Sequence, residues 1–90
     1  MKVFNRRKFA PPDAVYVGRP TKWGNPYEIG AVFAGKVLTR EDCVFLFRAY
    51  AERKLKTEPH WLDELKGKNL VCWCKPLNCH ADVLMELANK

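Results

Sequence analysis

Three of the four cysteines and one of the two histidines in this 90-residue chain lie within a single nine-residue segment. They form the pattern Cys72-Trp73-Cys74, four further residues, and then Cys79-His80. Thiol and imidazole groups can bind zinc, provide a nucleophile with a neighbouring base, or simply be buried, since cysteine is among the most buried residue types. The residue types leave all three interpretations open.

A zinc site would use Cys72, Cys74, Cys79 and His80, which have the Cys₃His composition of many structural zinc sites. The spacing is unusual, because such sites generally draw their ligands from two pairs that are well separated in sequence. Adjacent residues on a helix also point about 100° apart, which makes it awkward for Cys79 and His80 to reach one ion. The pattern therefore favours no cofactor, and zinc is kept as an alternative.

A thiol-dependent reaction would assign the catalytic roles to Cys79 and His80. Cys79 is predicted at the start of the last helix, where backbone N–H groups stabilise a thiolate. Because neighbouring residues on a helix rarely face each other, we expect His80 to face Cys72 or Cys74 rather than Cys79. Burial on a core strand would by itself explain Cys72.

A second polar segment, residues 19–26 (RPTKWGNP), contains two prolines, a glycine and an asparagine, which predicts a loop. Its side chains offer cations for a phosphate or carboxylate, an indole for stacking on a base or sugar, and an amide for hydrogen bonding. Its glycine would let the backbone approach a ligand closely. The predicted ligand-binding residues are Arg19, Lys22, Trp23, Gly24, Asn25 and, from the cysteine segment, Cys74. The alternative is that Trp23 fills the core and residues 24–26 form a tight turn.

The elements that would bring the two segments together are those of a small Rossmann-like α/β sheet. The sequence predicts strands at 14–17 and 69–73, helices at 40–56, 59–66 and 79–89, and a hairpin at 31–38. Thr39 and Asp42 fit a capping box at the start of the first helix, and Asn78 is the expected cap of the last one. With parallel strands joined by a helical crossover, both polar segments emerge at the same sheet edge, where α/β proteins bind ligands.

Basic residues are concentrated near the start of the chain. Sixteen Lys and Arg against ten Asp and Glu give a net charge of +6, and six of the basic residues precede residue 23. We expect residues 1–13 to form a basic, irregular N-terminal arm and residues 14–90 to form a single α/β domain. The basic cluster favours a phosphorylated small molecule or a nucleic acid as partner, although a solvated basic face without a partner is equally consistent.

The hydropathy pattern indicates neither a membrane-spanning segment nor a signal peptide. No apolar run approaches the roughly 18 residues that span a bilayer, and no apolar signal-peptide segment follows the basic start. We therefore expect a cytoplasmic protein without membrane contact, in which the thiols are reduced. Nothing in the sequence indicates the oligomeric state.

Two separate stretches resemble one known family. YVGRPTKWGNPY and LVCWCKPLNCHADVL together resemble domain of unknown function 4326, a family of small proteins common in bacteriophage and bacterial genomes. The resemblance spans residues 15–88, leaves the basic arm before Pro11 outside it, and implies no activity. The matching positions are Gly18, Arg19, Gly24, Asn25, Pro26, Cys72, Cys74, Pro76, Cys79, His80 and Leu84. The cysteine segment is also similar to one in domain of unknown function 488, where it belongs to a Rossmann-like arrangement.

These features together predict a pocket for a phosphate-bearing ligand, such as a nucleotide or a nucleotide derivative. Arg19 and the start of the last helix would hold the anion, Trp23 would stack on the ligand, and His80 would be the acid or base of any reaction. Whether the protein is an enzyme stays open, because no carboxylate is placed to complete a hydrolysis or transfer. The alternative is a non-enzymatic nucleic-acid- or protein-binding module, in which the cysteines stabilise the fold by binding zinc or by packing in the core.

Overall fold

The two parallel strands predicted from the sequence are present, and a third strand joins them. The computed structural model describes residues 2–6, 11–19, 21–73 and 79–90. Within these ranges lie strands β1 (Val3–Asn5), β2 (Val15–Tyr16), β3 (Val32–Phe33), β4 (Lys36–Val37) and β5 (Leu70–Cys72), and helices α1 (Arg40–Thr57) and α2 (His80–Ala88). β1, β5 and β2 form a parallel sheet in that order, and β3 and β4 form a separate antiparallel hairpin. The predicted α/β fold class is confirmed.

β5 is the central strand of the parallel sheet. All three of its residues are buried, as expected for a strand that is covered on both faces. On one side the Leu70 N–H donates to the Lys2 carbonyl at 2.9 Å, and on the other the Val17 N–H donates to the Val71 carbonyl at 3.0 Å. The sheet therefore depends on a strand that comes late in the sequence.

β1 corrects the expectation that residues 1–13 form an irregular arm. Its three residues pair with β5 in the register Val3↔Leu70 to Asn5↔Cys72, so residues 3–5 form an edge strand of the sheet, while residues 1 and 7–10 of the expected arm lie outside the described residues. Three residues beside a basic cluster give no local strand signal. The pairing partner lies 67 positions away, as the hydrogen bond from the Lys2 N–H to Asn69 Oδ1 illustrates.

α1 begins at the predicted residue and ends one residue later than predicted. Thr39 and Asp42 form the expected capping box, with each side chain accepting a hydrogen bond from the backbone N–H of the other residue. Cys43, Phe47 and Ala51 form the buried face of the helix. Their spacing of four residues places them on one side of α1, which packs against α2.

Residues 59–66 do not form the predicted helix. Only Asp63–Leu65 are helical, as a single 3₁₀ turn without a side-chain cap. The backbone around Trp61 is instead engaged by the neighbouring loop, because the Trp61 carbonyl accepts a hydrogen bond from the Trp23 indole at 3.1 Å. Gly67, at φ 74°, then reverses the chain toward β5.

α2 begins at His80, and its N-cap is Cys79 rather than the expected Asn78, which lies outside the described residues. The Cys79 sulfur accepts a hydrogen bond from the Ala81 N–H at 3.5 Å. In the parts of the chain that the structure describes, neither helix combines the length and apolar character needed to cross a membrane.

The hairpin predicted at 31–38 is also present, although its turn lacks the favoured Asn-Gly sequence. Ala34 and Gly35 both have positive φ, at 52° and 79°. This is the conformation that a two-residue type I′ turn requires, and alanine adopts it at a cost that glycine does not incur.

Candidate functional site

A cavity of about 580 Å³ opens where β2 and β5 end and α2 begins. This volume is within the range of small-molecule binding sites. The cavity lies at the carboxyl edge of the parallel sheet, which is where the sequence predicts the ligand site. Five of the predicted site residues line it: Arg19, Asn25, Cys72, Cys79 and His80. Lys22, Trp23 and Gly24 are not among the lining residues, and Cys74 lies outside the described residues.

Arg19 lies at the rim of the cavity with its side chain 56% exposed. Its guanidinium forms an ion pair with Glu28, with Nη1 and Oε1 2.7 Å apart, and Glu28 lines the same cavity. Exposed pairs of this kind contribute only about 0.2–1 kcal/mol. An anion of higher charge could therefore compete with the Glu28 carboxylate for Arg19.

Trp23 and Lys22 face away from the cavity. The Trp23 side chain is only 7% exposed, and its indole N–H donates to the Trp61 carbonyl. The Lys22 ammonium pairs with Glu64 at 2.7 Å and lies 5.0 Å from the centre of the Trp23 ring. The structure thus matches the alternative in which Trp23 fills the core, and it does not place Trp23 where a cavity ligand could stack on it.

Gly24 and Asn25 shape the loop itself. A Cβ atom at Gly24 would lie 2.9 Å from the Arg19 Cγ, so glycine lets the loop fold tightly against Arg19. The Asn25 amide group donates to the Cys43 carbonyl at 3.1 Å, and its oxygen accepts the Tyr27 N–H at 2.9 Å. Both ends of the Asn25 side chain are therefore used to hold the loop against α1.

Cys79 and His80 face each other, contrary to the expectation that His80 would face Cys72 or Cys74. The Cys79 sulfur lies 3.7 Å from His80 Nδ1. Cys79 is the cap of α2 and has extended backbone angles, φ −144° and ψ 145°, so the angular spacing of helical neighbours does not apply to it. His80 Nε2 lies 2.9 Å from the Val17 carbonyl, which can only accept, so we assign the ring proton to Nε2. The lone pair of Nδ1 in the neutral ring is then directed at the thiol.

Cys43 lines the cavity as a neutral thiol. Burial raises the pKa of the Cys43 thiol, and the negative charge of Asp42 acts in the same direction. The charges of Arg19 and Arg40 favour the Cys43 thiolate, but burial and Asp42 outweigh them, whereas Cys79 has both a helix N-terminus and an imidazole beside it.

Cys79 and His80 are also the donors that a metal could use. Two ligands on a tetrahedral zinc ion lie about 3.6 Å apart, which is close to the observed separation of 3.7 Å. The described residues nevertheless contain no group of three or more Cys, His, Asp or Glu side chains that could hold an ion. The four-ligand set needs Cys74, which lies outside them, so the zinc alternative stays a prediction.

Several cavity residues were not singled out from the sequence: Tyr16, Tyr27, Glu28, Arg40, Cys43 and Trp73. Arg40 is the first residue of α1, and nothing in its local sequence connects it with Arg19. Trp73 could not have been found from alternation along the strand, because alternation places its side chain on the face opposite to that of Cys72.

Comparison with known proteins adds a family relationship. A family model described as "Domain of unknown function (DUF4326)" matches residues 3–90. An "uncharacterized 12.4 kDa protein in nrdA-td intergenic region" of Enterobacteria phage T4 is 35% identical over 81 residues, which cover 84% of this chain and 68% of the phage protein. The family match begins at residue 3, so the expectation that residues before Pro11 fall outside it is wrong. No solved structure matches the chain.

Proposed function

Because the chain belongs to the domain of unknown function 4326 family, whose description names no activity, we propose a function from the geometry of the cavity. The protein binds a small phosphate-bearing molecule, a nucleotide or a nucleotide derivative, at the carboxyl edge of its sheet. The observation that carries this proposal is that Arg19 and Arg40 line the same cavity as the first residue of α2, His80.

The two guanidinium groups supply the main attraction for a phosphate. Arginine donates two parallel hydrogen bonds to phosphate oxygens and keeps its charge at every physiological pH. The positive end of the α2 dipole acts in the same direction. Glu28 opposes binding while it pairs with Arg19, but this exposed pair is weak and a phosphate of charge near −2 can displace it.

The test is isothermal titration of the full chain with inorganic phosphate, pyrophosphate and nucleoside mono-, di- and triphosphates. Arg19→Ala should weaken binding about 10- to 100-fold, because it removes charge-assisted hydrogen bonds worth about 1.5–3 kcal/mol. Lys22→Ala is the matched control. Lys22 lies in the same loop, is 54% exposed and pairs with a glutamate at the same distance of 2.7 Å, but it lies outside the cavity. An equal loss of affinity in both variants, or no binding of any of these phosphates to the unaltered protein, would contradict the proposal.

The net charge of +6 favours the alternative of a nucleic-acid-binding module. Its affinity would fall steeply with salt and would depend on Arg7 and Lys8 more than on Arg19. These two residues should be neutralised rather than deleted with the preceding segment, because β1 belongs to the sheet. Duplex DNA binding that is lost in Arg7→Gln/Lys8→Gln but kept in Arg19→Ala would support this alternative.

The contact between Cys79 and His80 favours a second candidate, thiol chemistry on the bound ligand. With iodoacetate as probe, an S–C bond forms as the C–I bond breaks, iodide leaves with the bonding electrons, and the thiol proton passes to His80 Nδ1. Neutral iodoacetamide is a control of nearly the same size. Preferential modification of Cys79 over Cys43 by iodoacetate, located by fragment-ion mass spectrometry, would support the candidate. Modification only after unfolding would exclude it.

A further inference from the structure

Two aromatic side chains, Tyr16 and Trp73, form a wall of the cavity beside the proposed phosphate site at Arg19 and Arg40. Trp73 follows β5 and remains 48% exposed, although large apolar side chains are usually buried. Tyr16 is the last residue of β2, on the adjacent strand. The register pairs Tyr16 with Val71, and Trp73 lies two positions beyond Val71, so the two aromatic side chains lie on one face of the sheet. Both line the cavity.

This wall is held in place before any ligand binds. The Trp73 indole N–H donates to the Tyr16 hydroxyl at 2.9 Å, and that hydroxyl donates to the Arg19 carbonyl at 3.0 Å. The Arg6 guanidinium lies 4.7 Å from the centre of the Tyr16 ring and 5.6 Å from that of the Trp73 ring. A Cβ atom at Gly18 would overlap the Tyr16 ring, so glycine is what lets this ring fold back against the chain.

The hydrogen bonds of the wall determine what it can offer to a ligand. The indole N–H and the phenol O–H already donate within the protein, so the wall offers a ligand the exposed part of its ring surface rather than hydrogen-bond donors. A planar aromatic group is the chemical partner that such a surface prefers. The wall also adjoins the phosphate site directly, because the Tyr16 hydroxyl contacts the backbone of Arg19.

We propose that Tyr16 and Trp73 form the platform on which the nucleobase of the ligand stacks, and that Arg6 is a positioning residue that orients the two rings. This inference rests on the proposed function, because it places the base next to a phosphate held by Arg19 and Arg40. It gives Trp73 the stacking role that the sequence had suggested for Trp23. The base could belong to a free mononucleotide or to single-stranded nucleic acid, since both present the same ring beside a phosphate.

The test compares AMP with ribose 5-phosphate, which carries the phosphate but no base, and with a single-stranded tetranucleotide. Stacking energies of single bases predict that Trp73→Leu weakens AMP binding about 5- to 150-fold and leaves the affinity for ribose 5-phosphate unchanged. Trp73→Phe keeps a ring and should retain most of the AMP affinity. Phe45→Leu is the control, because Phe45 is an exposed aromatic residue that does not line this cavity.

The outcomes separate this inference from the proposed function. Equal affinities of the unaltered protein for AMP and ribose 5-phosphate, both lost in Arg19→Ala, would overturn the platform and leave the phosphate site in place. Binding of neither molecule would overturn both. A tetranucleotide that binds more tightly than AMP, with the same sensitivity to Trp73→Leu, would support the platform and identify single-stranded nucleic acid as the source of the base.

Arg6 has a separate test that does not depend on the folding of a Trp73 variant. Arg6→Gln should weaken AMP binding a few-fold, leave ribose 5-phosphate binding unchanged, and shift the NMR signal of the Trp73 indole N–H. Arg6→Lys keeps a cation over the rings and should restore part of the affinity. Equal losses for AMP and ribose 5-phosphate would mean that Arg6 acts through its charge on the phosphate, and this would overturn its positioning role.

Discussion

His80 uses both of its ring nitrogens inside the protein. Nε2 donates to the Val17 carbonyl just after β2, and Nδ1 faces the Cys79 sulfur at the cap of α2. The ring also packs edge-on against Phe47 of α1, with ring centres 5.1 Å apart. One side chain thus connects three elements next to the cavity.

Replacing His80 should reduce stability according to whether the donor to Val17 is kept. His80→Ala leaves a buried carbonyl without this partner and opens a space beside Phe47, so we expect the free energy of unfolding to fall by about 2–4 kcal/mol. His80→Gln places an amide N–H near the position of Nε2 and should lose about half as much. Urea unfolding followed by circular dichroism measures both, and equal losses would contradict the assignment of the proton to Nε2.

Glu28 has the opposite role to Arg19 at the rim of the cavity. Because its carboxylate pairs with Arg19 and repels an anion, Glu28→Gln should tighten phosphate binding roughly two- to fivefold, the worth of an exposed ion pair. Glu64→Gln, which releases Lys22 outside the cavity, should leave the affinity unchanged. Titration calorimetry at one fixed salt concentration gives both values. Weaker binding in Glu28→Gln would instead mean that the ligand hydrogen-bonds to Glu28.

At the scale of elements, the start of α1 is stabilised by charge as well as by hydrogen bonds. Asp42 accepts the Thr39 N–H at 3.0 Å and pairs with Lys36 of β4 at 3.1 Å, which ties the hairpin to the helix. The hydrogen bond from the Thr39 backbone, followed by the contact with Lys36, holds the pKa of the Asp42 carboxyl below its ordinary value of 3.8.

This lowered pKa predicts a pH-dependent contribution of the cap. The stabilisation by Asp42 is complete at pH values above its unfolded pKa and is lost as the pH falls through the lower folded-state pKa. Asp42→Asn should therefore destabilise the protein at neutral pH and have little effect at about pH 2. Thr39→Ala removes the acceptor of the Asp42 N–H and also a side-chain hydrogen bond that helps to lower the pKa of Asp42, so only part of its cost of about 1 kcal/mol should remain at low pH. Thermal unfolding at the two pH values checks this, and a pH-independent effect of Asp42→Asn would be the contrary result.

At the scale of the whole molecule, β5 joins the two ends of the sequence. Its Leu70 N–H donates to the Lys2 carbonyl, and its Cys72 carbonyl accepts the Arg6 N–H at 3.0 Å. Deleting residues 1–6 should expose the Leu70 N–H and speed its hydrogen exchange many-fold. The Phe47 N–H, which lies inside α1, is the internal reference. Unchanged protection of Leu70 in the shortened chain would mean that β1 contributes little to the sheet.

The parts of the fold that the sequence predicts correctly have local causes. β5 is apolar at every position and α1 has both a capping box and a buried stripe, so each element can be identified without its partner. β1 cannot, because the elements that it contacts, β5 and α2, both lie far along the sequence. The helix expected at 59–66 failed for a related reason, since the Trp61 carbonyl is engaged by the Trp23 indole from another loop.

The same distinction applies to the candidate site. The position of the cavity follows from strand order, because parallel neighbours end at one edge. Which of two tryptophans would be exposed there could not be predicted, since Trp23 and Trp73 both follow a strand and only their packing separates them. The contact between Cys79 and His80 also depended on one backbone detail, the extended conformation of the cap residue.

The late position of β5 has a consequence for synthesis on the ribosome. β2 ends at Tyr16 and β5 begins at Leu70, so both partners of the central strand are made well before it. At about 5–20 residues per second, translation of the intervening chain takes roughly 3–11 s. During that interval α1 can form from its own sequence, but neither β1 nor β2 has a strand to join. The sheet and the cavity therefore arise together, in one late step, when the segment from β5 to α2 leaves the exit tunnel.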